Sequence, residues 1–347
     1  MDICFYRYSL YNRGGDRIVI EYANYLAEQG HSVTIYIKHV RTVFRINENV
    51  RLTIVSWAGL PGFLLYGVLN KLPHDRVIVD IIPLVPLLSM RNRAMYFAQA
   101  DDAEYYDNRV VRTAINILYA VYFKKAKPII TVSESLATRF RDRFGFEKSI
   151  TVTNGIDRKL FFHEPDQALI RMKGSRKALM FMARGDYYRK GYDIAMNVFT
   201  ALGKKHSSEV ELWICGDAME TGRLPFKVRQ FGVVTDDRLR QVLSSADIFI
   251  YPSRHEGFGL FPLEAMACGC VVVTTTAIPY AVQTPSILSS EVEDEEAMLQ
   301  NIITLVSNDR IYQEYKERVY GEVEKYDMNA SKRAFESALR QLIMEKK

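Results

Sequence analysis

Glu256 and Glu264 have seven residues between them, in the run His255-Glu256-Gly257-Phe258-Gly259-Leu260-Phe261-Pro262-Leu263-Glu264. Two carboxylates at that spacing, with a glycine-flanked loop between them, can accept protons from the hydroxyls of a polyhydroxy ligand. Gly257 and Gly259 permit left-handed backbone and close approach to a ligand. A loop that enters a helix also leaves backbone N–H groups open to an anion. An ordinary strand, turn and helix with one solvated and one N-terminal glutamate accounts for the spacing equally well. A second cluster is Arg184-Gly185-Asp186-Tyr187-Tyr188-Arg189-Lys190-Gly191. Lys190 falls at an expected helix start, where a cation opposes the helix dipole. Placed beside free N–H groups, Lys190 and Arg184 suit a diphosphate; solvated loop cations are the alternative.

These residues need elements to hold them. Ile248–Tyr251 reads as a buried strand ended by Pro252, and Leu263–Ala267 as the first turns of a helix. Strand-like runs also fall at 2–8, 33–37, 77–82, 94–98, 128–132, 150–153, 178–183, 210–215, 231–234 and 271–273. A turn at 12–16 leads to a helix at 17–29, and further helices are expected at 134–145, 191–202 and 237–245. This alternation of strand and helix predicts parallel sheets. It runs once through the first half and restarts at Lys177, which predicts two doubly wound domains joined near 158–176. Ligands of such sheets bind at the carboxyl ends of strands, which places the expected site in a cleft between the domains.

Composition narrows the class. The chain has 347 residues, 48% hydrophobic and 25% charged, the balance of a soluble globular protein. No apolar stretch is of membrane-spanning length. The N-terminus opens on a strand-like run without a signal-peptide pattern. Cys4, Cys215, Cys268 and Cys270 form neither a disulfide framework nor a metal pattern, which favours a reducing, cytoplasmic setting. No histidine pair has metal-ligand spacing. Residues 1–165 carry 22 Lys and Arg against 16 Asp and Glu, a surplus that suits an anionic surface such as phospholipid headgroups. No basic and aromatic stripe suggests nucleic acid. Gly14-Gly15 lacks the full dinucleotide fingerprint. Asp101, Asp102 and Glu104 read either as a solvated loop or as acid and base groups.

Together these features resemble the family 4 retaining glycosyltransferases of the two-domain GT-B fold, over nearly the whole chain. The most specific match is the Glu–seven residues–Glu segment, its second glutamate opening Glu264-Ala265-Met266-Ala267-Cys268-Gly269. Gly14-Gly15 with Gly30-His31-Ser32-Val33, Val132-Ser133-Glu134, and Asn154-Gly155-Ile156-Asp157 also match. So do Arg184 with Lys190-Gly191, and Ala246-Asp247 with Pro252-Ser253. The resemblance implies two Rossmann-like domains facing across a cleft, at 1–165 and 166–327. It implies a C-terminal helix, 328–347, crossing back to the first, with Phe335, Leu339, Leu342 and Ile343 as its apolar stripe. It implies transfer of a sugar from a nucleotide-diphosphate donor to a glycan, lipid-linked or small-molecule acceptor, without metal or other cofactor. Arg184 and Lys190 would neutralise the diphosphate and Gly15 would offer its N–H to it. Glu256 would hold sugar hydroxyls and Glu264 ribose hydroxyls. Phe258, Gly259 and Leu260 would contact sugar and phosphate through backbone, and Val234 would lie near the base. The setting implied is surface polysaccharide or glycoconjugate synthesis, in the cytoplasm or peripheral on the inner face of the membrane.

The chain also departs from the family. Gln99 stands where many members place a sugar-site histidine, Ala183 replaces a glycine and Thr153 a proline. Gln99, Asp101, Asp102 and Glu104 form the expected sugar or acceptor site. The Gln99 change keeps a second reading open, a nucleotide-sugar-binding partner without activity. An epimerase on the same scaffold is a third.

Overall fold

The computed structural model describes residues 1–106, 108–125, 128–222 and 224–344. The chain divides into two compact units, Met1–Asn154 with Asn329–Lys347, and Gly155–Met328. The first unit runs β1 (Asp2–Leu10), α1 (Gly14–Glu28), β2 (Ser32–Val40), β3 (Val50–Ile54), α2 (Gly59–Leu69), β4 (Arg76–Val79), α3 (Leu84–Leu88) and β5 (Ala94–Ala98). It continues with α4 (Arg109–Lys124), β6 (Ile129–Thr131), α5 (Glu134–Phe144) and β7 (Ser149–Thr151). Its sheet has the order β3-β2-β1-β4-β5-β6-β7, with every registered pairing parallel.

The second unit starts with α6 (Gln167–Lys173), β8 (Lys177–Ala183), α7 (Tyr192–His206), β9 (Val210–Gly216), β10 (Lys227–Gly232) and α8 (Asp236–Ser245). Then follow β11 (Ile248–Tyr251), α9 (Leu260–Ala267), β12 (Val271–Thr275), β13 (Ile287–Ser290), α10 (Glu295–Ser307) and α11 (Asp309–Val323). Its sheet order, β10-β9-β8-β11-β12-β13, is likewise parallel and repeats the winding of the first six strands of unit 1. Each sheet therefore reverses direction once, between β1 and β4 and between β8 and β11. At such a switch point two neighbouring loops diverge and leave a crevice at the strand ends.

The core of unit 2 is built from buried strand residues such as Leu179, Phe181, Leu212 and Ile250, with Phe199 and Leu202 of α7. The last helix, α12 (Met328–Met344), gives its apolar stripe to unit 1. Phe335 is fully buried and stacks on Tyr22 with ring centres 4.1 Å apart. Leu339 and Leu342 are buried beside it, while Ile343 is half-exposed.

Three expectations need correction. The first helix begins at Gly14, so the glycine pair is its first turn and not a preceding loop. The chain leaves unit 1 at Asn154, not near 165. Residues 158–166 are not a free linker either. Phe161 is buried, His163 Nδ1 lies 2.8 Å from the Cys268 carbonyl oxygen, and the Glu164 and Asp166 amides donate to Ser244 and Ser245 at 2.9 and 2.8 Å. All four cysteines are buried and free. No helix among the described residues is long and apolar enough to cross a membrane.

Candidate functional site

The crevice of unit 2 is made by the turns after β8 and β11. Arg184 is the first residue past β8 and is half-buried. The turn then closes on Gly191, whose φ of 67° precedes the first turn of α7. A Cβ at Gly191 would lie 1.9 Å from the Pro252 carbonyl oxygen, so the two turns touch backbone to backbone there. They are also laced by hydrogen bonds. The Arg254 amide donates to the Arg189 carbonyl at 2.8 Å, and Ser253 Oγ to the same oxygen at 3.1 Å. Arg254, 5% exposed, reaches Asp193 with both terminal nitrogens at 2.8 and 2.7 Å, and also holds Glu293 and the Tyr188 carbonyl. One guanidinium thus ties the loop after β8, the start of α7 and the turn before α10 together.

This lacing brings Lys190 onto Glu256 as an ion pair. Lys190 Nζ also donates to the Tyr251 hydroxyl at 2.6 Å. That hydroxyl donates in turn to a Glu256 oxygen at 2.8 Å, and Ser253 Oγ lies 3.0 Å from the same oxygen and shares its one proton between it and the Arg189 carbonyl. Burial works against both charges. At Glu256 the neighbouring Lys190 and Arg189 cations and these donors outweigh it, and the carboxyl is held below the ordinary glutamate range. At Lys190 burial prevails over the opposing pull of Glu256 and draws the ammonium down. The result is a charged, hydrogen-bonded pair at the crevice, both partners retaining a little exposure, 13% and 10%.

The rest of the segment runs directly into α9. The helix starts at Leu260, three residues before the expected position, with Pro262 in its first turn, where a missing N–H costs nothing. Glu264 is 3% exposed. Phe258 is core, packed on Tyr280 and Tyr326 with ring centres 5.4 and 5.9 Å away, so only its backbone can serve a ligand. Val234 is half-buried in the turn between β10 and α8, beyond a strand that ends at Gly232, not at 234.

In unit 1 the switch point gathers a set of residues only partly anticipated. Gln99 follows β5 and donates through Nε2 to the Gly15 carbonyl at 3.2 Å and to Asp80 at 3.0 Å. Arg7, inside β1, pairs with both Asp80 and Asp16. Asp16, fully buried, also accepts from the amides of Tyr11 and Arg13 at 3.1 and 3.2 Å and so pins the start of α1. Arg7, Asp16 and Asp80 were not singled out from the sequence. A charge inside the apolar run 2–8, and an aspartate directly after Val77-Ile78-Val79, are the signals that mark them.

Asp101, Asp102 and Glu104 are not a solvated loop. Asp101 is 1% exposed, accepts from the Ala103 amide at 3.0 Å and pairs with Arg143. Glu104 pairs with Arg139. Asp102 accepts from the Ile82 amide at 2.6 Å, and its burial pushes the carboxyl up to about 8. The folded protein thus keeps a proton that the unfolded chain releases near the ordinary aspartate value. Between those limits stability falls as pH rises. Asp102→Asn is expected to remove that fall. The melting temperature of the natural chain should drop against the variant between about pH 4 and about pH 8, and parallel curves would rule the buried proton out.

Comparison with known proteins follows the same division of the chain. The profile described as Glycosyltransferase Family 4 matches residues 12–160, and that described as Glycosyl transferases group 1 matches residues 176–308. The gpi3 subunit of phosphatidylinositol N-acetylglucosaminyltransferase from Schizosaccharomyces pombe is 28% identical over 145 residues, 39% of this chain. The aligned stretch spans only 32% of that relative's length. An uncharacterized glycosyltransferase of Haemophilus influenzae is 24% identical over 330 residues, 86% of this chain and 88% of that protein. Among solved structures, Anabaena HepE in complex with UDP-glucose superposes with a TM-score of 0.76 over 98% of this chain and 100% of HepE, at 15% identity. That last likeness is one of fold.

Proposed function

The chain belongs to the group 1, family 4 glycosyltransferases, and from that premise we propose that it moves a sugar from a nucleotide diphosphate to an acceptor hydroxyl with retention at the anomeric carbon. The observation that carries this reading is the Lys190–Glu256 pair, assembled from two loops at the switch point of unit 2 and held by Tyr251 and Ser253. A cation and a carboxylate side by side match a donor in which a diphosphate adjoins a ring of hydroxyls. A protein of this fold solved with UDP-glucose supports the donor class.

In the reaction the bond from the anomeric carbon to the phosphate oxygen breaks, and a bond to the acceptor oxygen forms on the same face. The acceptor proton passes to the departing phosphate. Arg184 and Lys190 take up the charge that grows on the leaving group, the task a divalent metal performs elsewhere. Glu256 orients the sugar hydroxyls and Glu264 the ribose hydroxyls. The backbone of Phe258, Gly259 and Leu260 lies along sugar and phosphate, and Val234 borders the base. The acceptor is a glycan or lipid-linked hydroxyl.

Thermal stabilisation by a panel of nucleotide sugars tests this. A true donor raises apparent stability by about 2.7 kcal/mol at a hundredfold excess over its Kd. Arg184→Ala should weaken that donor roughly tenfold to a hundredfold, as loss of a charge-assisted contact does. Absence of stabilisation by any nucleotide or nucleotide sugar, or equal affinity in Arg184→Ala, would sink the proposal. Gln99 favours one other reading, a binding partner without transfer activity, because its amide is engaged by Gly15 and Asp80. Donor hydrolysis without acceptor, lost in Arg184→Ala, decides for the enzyme.

A further inference from the structure

We infer that unit 1 docks on an anionic lipid surface through the outer face of α2 and the cations around it. This helix, Gly59–Leu69, holds no charged residue in eleven positions. A helix apolar on all sides is normally covered on all sides. Here only Phe63 and Gly67 are buried. Phe63 packs on Tyr6 with ring centres 4.4 Å apart, and a Cβ at Gly67 would meet the Tyr6 ring and Leu88 at 2.8 and 2.9 Å. That contact fixes which side faces inward. The outward side shows Leu65 and Leu69, each 49% exposed, and Leu60 is 47% exposed at the start of the helix. Trp57, edge-on to Tyr66 at 5.6 Å, extends the face at one end of the helix.

Charge decides what covers this face. No aspartate or glutamate occurs between Glu48 and Asp75, or between Asp80 and Asp101. Cations stand at the rim instead. Lys38 Nζ donates to the Trp57 carbonyl at 2.7 Å, and Arg91 to the Leu69 carbonyl at 3.2 Å. Lys71 is exposed two residues past the helix. An apolar strip with a cationic rim and an interfacial tryptophan is complementary to a bilayer with anionic headgroups. At roughly 1.5 Å per residue the helix is about half the length needed to span the hydrocarbon, so it lies in the interface plane. A second copy of the chain fits less well, because a two-fold contact would set the same three cations against each other.

Co-sedimentation of the full chain with vesicles tests the inference, independently of the donor reading. Vesicles of phosphatidylcholine with roughly a third phosphatidylglycerol should bind the chain at least about tenfold more tightly than phosphatidylcholine alone, and salt should weaken the binding. Leu65→Gln/Leu69→Gln should lose roughly tenfold or more of that affinity, with its melting temperature retained because both side chains are half exposed. Lys71→Gln/Arg91→Gln should lose the preference for anionic vesicles while keeping the fold. Sedimentation that does not depend on lipid, a leucine variant that binds as well as the natural chain, or a dimer in vesicle-free solution that the leucine variant abolishes would each overturn it.

Discussion

Lys190→Ala is expected to lower kcat/KM for glycosyl transfer about a thousandfold, the upper range for loss of one preorganised group at a developing negative charge. Two causes act together. On the proposed role the leaving diphosphate loses a cation, and Glu256 loses the partner that keeps its buried carboxyl ionised. With Lys190 gone, a main cause that holds the Glu256 carboxyl down is lost and its pKa rises, so the residual activity should fall off on the acid side at a higher pH than in the natural chain. Leaving the carboxylate unpaired also costs about 3 kcal/mol of stability. A comparison of single and double variants separates the two causes. Lys190→Met/Glu256→Gln should recover most of the lost stability, because no buried charge is left without its partner, yet recover none of the rate. Transfer within about tenfold of the natural chain in Lys190→Ala would remove Lys190 from the diphosphate site.

Gly191→Ala should be among the most damaging single methyls in unit 2. The new carbon would sit 1.9 Å from the Pro252 carbonyl oxygen. Both sides of that clash are backbone, so no rotamer relieves it. The φ of 67° adds left-handed strain. A loss of more than about 3 kcal/mol is expected, read as the shift in urea midpoint. Gly185→Ala is the matching control. Its φ of 72° carries the same strain, but nothing lies within 4 Å of the added carbon, and the loss should stay near about 1 kcal/mol. Equal losses in the two variants would show that strain alone, and not the contact between the turns, sets the cost.

Much of the fold was legible because the buried strands of parallel sheets are short apolar runs. The strand expected at 94–98 is found at Ala94–Ala98, and the one at 248–251 at Ile248–Tyr251. Other elements were not anticipated, β3, α2, α3, α4, α6, β13, α10 and α11 among them. The edge strand β3 alternates poorly, with Leu52 and Ile54 left exposed. Helix α2 is apolar on every side and so has no helical period to detect. Helix α4 was passed over although it carries a helical stripe, Ile115, Tyr119, Tyr122 and Phe123, behind an Asn108 cap. In the candidate site, the sequence marked residue types with a chemical reason to be there, Arg184, Lys190, Glu256 and Glu264, and the fold brings Lys190 onto Glu256. Their holders were not marked. Arg254 acts through contacts with Asp193 and Glu293 that lie 61 and 39 residues away, and sequence spacing carries no trace of that. Asp101 and Asp102 were misjudged for the same reason. The arginine and amide partners that let a carboxylate be buried come from residues 143 and 82.

The last helix has a consequence for how the protein is made. Unit 1 starts the chain, but Phe335, Ala338, Leu339 and Leu342 of α12 fill its interior, and Ser331 bonds Tyr22 and the Thr153 carbonyl, each at 2.7 Å. Residues 1–154, made before the second unit, therefore wait with an open apolar trough until α12 emerges. The continuous segment Gly155–Met328 can complete its own contacts in the meantime. Synthesis order and folding order are thus reversed, and a nascent chain stalled before residue 329 would present a finished second unit tethered to an unfinished first.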